Sequence, residues 1–286
     1  MRFTAMCCIF ITGVYTSSTP DITFKCRHMP EICTNMCWAM RCAEPRFPQT
    51  LTWDNRSVGD NVMYPNLKAS GCKIADNRCR EHRVQHGSME GVFSICDEYP
   101  FYFTLESGLA NGHAVSRCVR RNANRAQAKS LRATYTPWRK QGLGTHKLQV
   151  GIADPGYKGV NYCLNQPCVN DGFEMQDGMA KIDGVDGVDG IDDRREPPPP
   201  PPPFRFFKTA SGNIMASLDA LTLGVNFTRA LHDDEEEDED EGEPEETIML
   251  DRWAEEVEGA RVRFVSDVLL EEVSAEHAAL VDALVE

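Results

Sequence analysis

One short stretch of this 286-residue chain gathers reactive side chains: Ser94-Ile95-Cys96-Asp97-Glu98-Tyr99-Pro100-Phe101. Two adjacent carboxylates lie between a predicted strand, Gly91 to Ile95, and a proline turn. Neighbours on a strand point to opposite faces, so both acids enter one pocket only if the strand ends there. Pro100 makes such an ending reasonable. Further along comes Ser116-Arg117-Cys118-Val119-Arg120-Arg121-Asn122-Ala123-Asn124-Arg125-Ala126-Gln127. On a helix Asn124 and Gln127 are three apart and share a face. The two stretches offer carboxylates and amides to a proton or a cation, and guanidinium groups to an anion. The plainer alternative is a Cys96–Cys118 staple whose acid–arginine pairs only solubilise it. Histidines give rival sites. His82 and His86 are four apart, but no Glu follows His82 as a His-Glu-x-x-His motif requires. His113 or His146 could serve as a base, and each reads better as a surface histidine.

The elements that must position these groups are legible in part. Leu51-Thr52-Trp53 reads as a strand, like Gly91 to Ile95. Asn122 to Tyr135 lacks Gly and Pro and is rich in Ala, Arg, Gln and Lys, which predicts a helix stopped by Pro137. His146 to Ile152 alternates, with Leu148, Val150 and Ile152 on one side, as a half-buried strand does. Residues 20–95 are turn-rich and show little sustained periodicity. Strand, loop, helix and strand in that order predict a small α+β domain.

Charge divides the chain. Residues 1–170 hold 21 Lys/Arg and 12 Asp/Glu, while residues 171–286 hold 9 and 32. A basic front half favours a polyanionic partner, because contact with phosphates releases their counterions. All twelve cysteines lie at or before Cys168. That density reads as a disulfide framework formed in an oxidising compartment. Zinc is the competing reading, but no Cys-x-x-Cys pair is present. Arg2 followed by the apolar run Phe3 to Tyr15 predicts a signal peptide over residues 1–19 and a secreted, extracellular protein. Its removal takes Cys7 and Cys8 and leaves an even number. No apolar run is long enough for a membrane span, so no membrane partner is expected. Asn55-Arg56-Ser57 and Asn226-Phe227-Thr228 fit the glycosylation sequon. Residues 181–246 read as a low-complexity linker: an Asp-Gly repeat from Ile182 to Asp192, a stiff proline run from Pro197 to Pro203, a mildly apolar Phe204 to Leu231, and an acidic run from Asp233 to Glu243. Residues 247–286 read as an amphipathic helical tail carrying Leu250, Trp253, Val257, Phe264, Val268 and Val281 at near-helical spacing.

Cys96-Asp97-Glu98-Tyr99-Pro100-Phe101, followed by the Arg117 strand and a helix with Asn124-x-x-Gln127, resembles the NucA/NucB deoxyribonucleases, especially their cysteine-rich secreted forms. Met29 to Trp38 is similar to the N-terminal extension of those forms, and Asn170-Asp171-Gly172-Phe173-Glu174 to their closing segment. The likeness covers roughly residues 24–178, within a disulfide-rich domain at 20–180. It implies a ββα-metal-like nuclease core with Asp97, Glu98, Asn124 and Gln127 as catalytic residues. One carboxylate of the Asp97-Glu98 pair would activate water, and Glu98 and Asn124 would hold a divalent metal. Hard oxygen ligands suit magnesium or manganese. Arg117, Arg120, Arg121 and Arg125 would grip the phosphate backbone without reading bases.

The sequence also departs from the family pattern Pro-x-x-Glu-Asn-x-x-Gln-Gly. Arg120 replaces the proline, Ala123 the acid and Ala128 the glycine, and the bulky Phe101-Tyr102-Phe103 follows Pro100. Two functions compete: a metal-dependent endonuclease cutting DNA, or RNA, with little sequence preference, and a nuclease-fold binding or effector protein weakened by Ala123. The tail has no assigned role.

Overall fold

The computed structural model describes residues 19–55, 60–72, 79, 93–108, 114–170, 173–176, 179–180, 200–231 and 263–283. The predicted signal peptide (except Thr19), His82, His86, His113, the Asp-Gly repeat and the acidic run lie outside them. The chain begins with β1 (Ile22–Lys25), α1 (Pro30–Arg41), β2 (Thr50–Asp54) and α2 (Asp60–Ala69). The centre is β3 (Ile95–Tyr99), β4 (Val115–Val119), α3 (Arg121–Lys140) and β5 (Thr145–Ala153). After these come β6 (Met175–Gln176), β7 (Met179–Ala180), β8 (Arg205–Thr209), β9 (Ile214–Ser217), β10 (Asn226–Leu231), β11 (Arg263–Val273) and α4 (Ala275–Ala283). The fold is α+β, and β3, β4 and α3 follow one another as strand, strand and helix.

Two sheets share one core. The larger runs β1-β5-β9-β8-β11-β10, with β2 also paired to β5; the smaller runs β3-β4-β6-β7. α1 lies between them and is buried along its whole length. Ile32, Met36 and Met40 are fully or almost fully enclosed, with Phe24, Val150 and Ile152 of the larger sheet in the same cluster. Such burial on every side removes the one-sided stripe by which a surface helix is recognised, so the region read as turn-rich holds a regular helix. Pro30 at its first turn needs no hydrogen-bond partner there. β5 is half-buried only at its start. From Leu148 onward every residue is buried, because β1, β2 and β9 all pair with it.

The C-terminal third corrects the sequence reading. Phe204 to Leu231 is no linker; it supplies β8, β9 and β10, and Phe206, Phe207, Ile214, Met215 and Ala216 are buried. Gln49 ties these strands to the N-terminal part. Its Nε2 donates to Val150 O at 2.5 Å and its Oε1 accepts from Leu218 N at 2.7 Å. Helix appears in the tail at α4, but Phe264 and Val268 fall in β11, paired with β10 on one side and β8 on the other. Two ladders of backbone hydrogen bonds override a near-helical spacing of apolar residues.

Ten cysteines form five disulfides: Cys26–Cys33, Cys37–Cys163, Cys42–Cys168, Cys72–Cys96 and Cys79–Cys118. Cys96 and Cys118 face each other in register across β3 and β4, yet neither bonds to the other. The ladder already joins those strands, and the two bonds instead tie Cys72 and Cys79 onto them.

Cys37–Cys163 and Cys42–Cys168 each span 126 residues and close nearly the same loop. Either alone therefore removes most of the unfolded chain's freedom. Replacing one pair with alanine should lower unfolding free energy by about 3 kcal/mol, the value for the short ring between the bonds. Removing the second should cost about 5 kcal/mol more, the value for the long loop. Guanidinium unfolding of the double and quadruple variants measures both; equal steps would contradict the shared-loop account.

Candidate active site

Asp97 occupies the middle of β3 and is 3% exposed. The strand therefore runs through the acid pair instead of ending before it, beginning at Ile95 where Gly91 to Ile95 was expected. Pleating then sends Asp97 and Glu98 to opposite faces. Register pairs Asp97 with Arg117 and Glu98 with Ser116. The Asp97 face meets α1 and α3. Asn35 of α1 donates from Nδ2 to Asp97 Oδ2 at 3.0 Å and lies 3.4 Å from the Asp97 carbonyl. Gln127 of α3 approaches the same carboxyl. Burial pushes Asp97 up to about 7, against the opposing pull of Asn35 and then Gln127.

Glu98 faces away from this junction. Burial first, and the neighbouring Asp97 second, hold its carboxyl well above the usual range, while a backbone hydrogen bond from Tyr102 favours its charged form. Asn124 is half-buried on α3, which packs on the Asp97 side. The structure thus brings Asp97 and Gln127 together and places Glu98 on the opposite face of β3.

Polar atoms without partners lie on the two residues that reach Asp97 and one turn away on α1. Among the described residues, Asn35 Oδ1, Gln127 Nε2 and Glu31 Oε2 are buried and lack hydrogen-bond partners. Glu31 stands one turn before Asn35 on α1, and its Oε1 forms an ion pair with Arg120 Nε at 2.6 Å. Glu31 and Asn35 were missed as site residues. Their sequence signal is weak: two polar side chains four apart among Ile, Cys, Met and Trp, in a helix that also buries Thr34 and Arg41. Unpaired buried polar groups cost free energy, so a cluster of them marks a place where something else binds or strain is kept. No group of three or more His, Cys, Asp and Glu side chains forms a metal cluster among the described residues.

The four arginines separate into two classes. Arg117 forms an ion pair with buried Glu174 and lies over the Phe173 ring at 5.3 Å. Arg120 is engaged by Glu31. Arg121 and Arg125 are exposed on α3. With Lys129 and Arg132 they form one stripe at helical spacing, on a helix of twenty residues that carries no acid. Pro137 lies in the last turn of α3 instead of stopping it at Tyr135. The helix closes at Gly142, with φ of 71°, where Leu143 N bonds Trp138 O and Gly142 N bonds Arg139 O. Those are the paired bonds of a Schellman end.

The bulky residues after Pro100 serve packing. Phe101 and Phe103 are buried and stack at 5.6 Å, and Phe103 meets Tyr135 of α3 at 5.4 Å. His146 packs its ring 4.3 Å from Trp138 and pairs in register with Trp53, so it belongs to the aromatic cluster on β2 and β5.

Residues 36–143 match the family model described as Deoxyribonuclease NucA/NucB. The match spans most of α1 through α3 and includes Asp97 and Gln127; Glu31 and Asn35 fall just before it. No curated protein and no solved structure matches the chain.

The Asp97 environment has a consequence for stability. A carboxyl ionises near pH 4 in an unfolded chain and here near 7, so unfolding releases a proton between those values. Stability from this group is therefore fully present below pH 4 and is lost as pH rises to 7, by up to about 1.4 kcal/mol per pH unit. Asp97→Asn should flatten that slope. Urea unfolding at pH 5 and pH 7 in EDTA tests it; an unchanged slope would assign the effect to other carboxyls.

Proposed function

We propose that this chain, whose residues 36–143 match the deoxyribonuclease NucA/NucB family model, is a secreted, metal-dependent endonuclease that hydrolyses DNA with little sequence preference. The observation that carries the reading is the buried Asp97 carboxyl with the partnerless Asn35 Oδ1 beside it. Both are hard oxygen donors, the chemistry that suits Mg2+ or Mn2+. Asp97 and Asn35 would hold the cation, and Gln127 approaches the Asp97 carboxyl from α3. When bound, the cation would lower the pKa of a water and neutralise charge on the phosphate oxygens. Arg121 and Arg125 lie on the exposed face of α3, where they can meet a phosphate backbone without touching base edges. Five disulfides support an oxidising, extracellular setting. No helix among the described residues is long and apolar enough to cross a membrane.

The second reading, a weakened nuclease fold that binds without cutting, is favoured by one observation. Ala123, where the family pattern has an acid, is wholly buried and offers no ligand.

Plasmid nicking with and without EDTA separates the readings. The wild-type protein should nick supercoiled DNA with Mg2+ or Mn2+ and stop in EDTA. Asp97→Asn should slow nicking at least about 100-fold, the scale of losing a metal-holding group. Glu98→Gln, on the other face of β3, should lose less. Nicking by Asp97→Asn at the wild-type rate would refute the site, and no nicking by wild-type protein under any divalent metal would favour the binding reading.

Arg121→Ala/Arg125→Ala should weaken DNA binding equally across sequences and lower the salt slope of log K by about 2, one unit per lost phosphate contact. A fluorescence anisotropy titration between low and moderate salt measures this. An unchanged slope would place the DNA on another face.

A further inference from the structure

We infer that Glu31 of α1 supplies the carboxylate that position 123 lacks, completing an all-oxygen cation site with Asp97 and Asn35. This rests on the nuclease reading above and adds a ligand to it. The argument is positional. Asn35 and Gln127 reach Asp97 from α1 and α3. One turn earlier on each helix stand Glu31 and Ala123 (i−4 in both cases), on the same helix faces as Asn35 and Gln127. Arg120, three residues before Ala123, is 2.6 Å from Glu31 Oε1. The Glu31 carboxylate therefore lies within reach of the residues that open α3.

The chemistry agrees. Glu31 is 8% exposed, and only one of its oxygens is taken; Oε2 has no partner among the described residues. Asn35, 0% exposed, likewise keeps Oδ1 without a donor. Two carboxylates and one amide oxygen form a set that a hard divalent cation prefers to any softer metal. Arg120 is a positioning residue: it holds Glu31 by one oxygen and leaves the other to the cation. The two departures from the family pattern then form one change, in which an acid moves from α3 to α1 and an arginine replaces the proline that would otherwise stand beside it.

Two measurements test this with Mn2+ alone as the probe. On the wild-type protein, substoichiometric Mn2+ should broaden the NMR signals of the Asn35 side-chain amide and the Glu31 amide before those of Asn124. By calorimetry, Glu31→Gln should weaken Mn2+ binding at least about 10-fold. The exchange Glu31→Ala/Ala123→Glu should bind within a few-fold of wild type, since it moves the acid back. Broadening that spares Glu31 overturns the inference even if no variant folds. Glu31→Gln binding Mn2+ like wild type overturns it too, and leaves the nuclease reading standing if Asp97→Asn still abolishes nicking. Wild-type protein that takes up no Mn2+ overturns both the inference and the metal dependence.

Discussion

The structure depends on a helix enclosed on every side. All twelve residues of α1 are buried. It carries Cys33 and Cys37 and is followed at once by Cys42, so three of the five disulfides start on or beside it. A helix in that position cannot shift without disturbing both sheets, because close-packed interiors accept few alternative arrangements. That rigidity makes it a platform for Asn35 and Glu31. Polar side chains on a buried helix must find partners inside the protein; here Asn35 meets Asp97 of β3 and Glu31 meets Arg120.

The second determinant is the pleat of β3. Alternation gives Asp97 and Glu98 separate surroundings although they are neighbours in the chain. Asp97 shares its face with apolar Ile95, Tyr99, Val115 and Val119, and with Arg117, which Glu174 engages. Its carboxyl therefore lies in a poorly solvated place without a dedicated cation, and its proton affinity rises. Glu98 shares the other face with Cys96, Ser116 and Cys118, and Ser116 bonds there to the Ser70 carbonyl. That face is a stapled surface, whereas the Asp97 face is a meeting point of three elements.

The sequence disclosed the core well where local signals were strong. The strand at Leu51 to Trp53, the helix around Asn124 and the strand around Val150 stand where pattern and propensity put them. The Asp97 motif was conspicuous because acids beside cysteine and proline are unusual text. Three things were hidden. α1 shows no one-sided stripe because it has no exposed side. The partition of Asp97 and Glu98 depended on whether the strand ended before or after them, which Pro100 alone does not decide. The strands after Phe204 pair with residues far away in sequence; Met215 joins Ala153, and Phe206 joins Val273. Pairing at that range leaves no local trace; β8 and β9 do pair locally across Ala210 to Asn213, but the Asp, Gly and Pro text in front of them argues against a folded segment.

The two long disulfides also set an order of events in the life of the chain. Cys37 and Cys42 leave the ribosome early, but Cys163 and Cys168 follow 126 residues later. Until then the one disulfide that α1 can form is the short-range Cys26–Cys33, and nothing ties the helix to the later part of the chain. Asn35 cannot be fixed beside Asp97 before that moment. In a reducing cytosol the clamp does not close even when the chain is complete. The clamp that holds α1 in place thus waits for residue 168 of 286 and for oxidising conditions, and the Asp97 junction is set only once both are met.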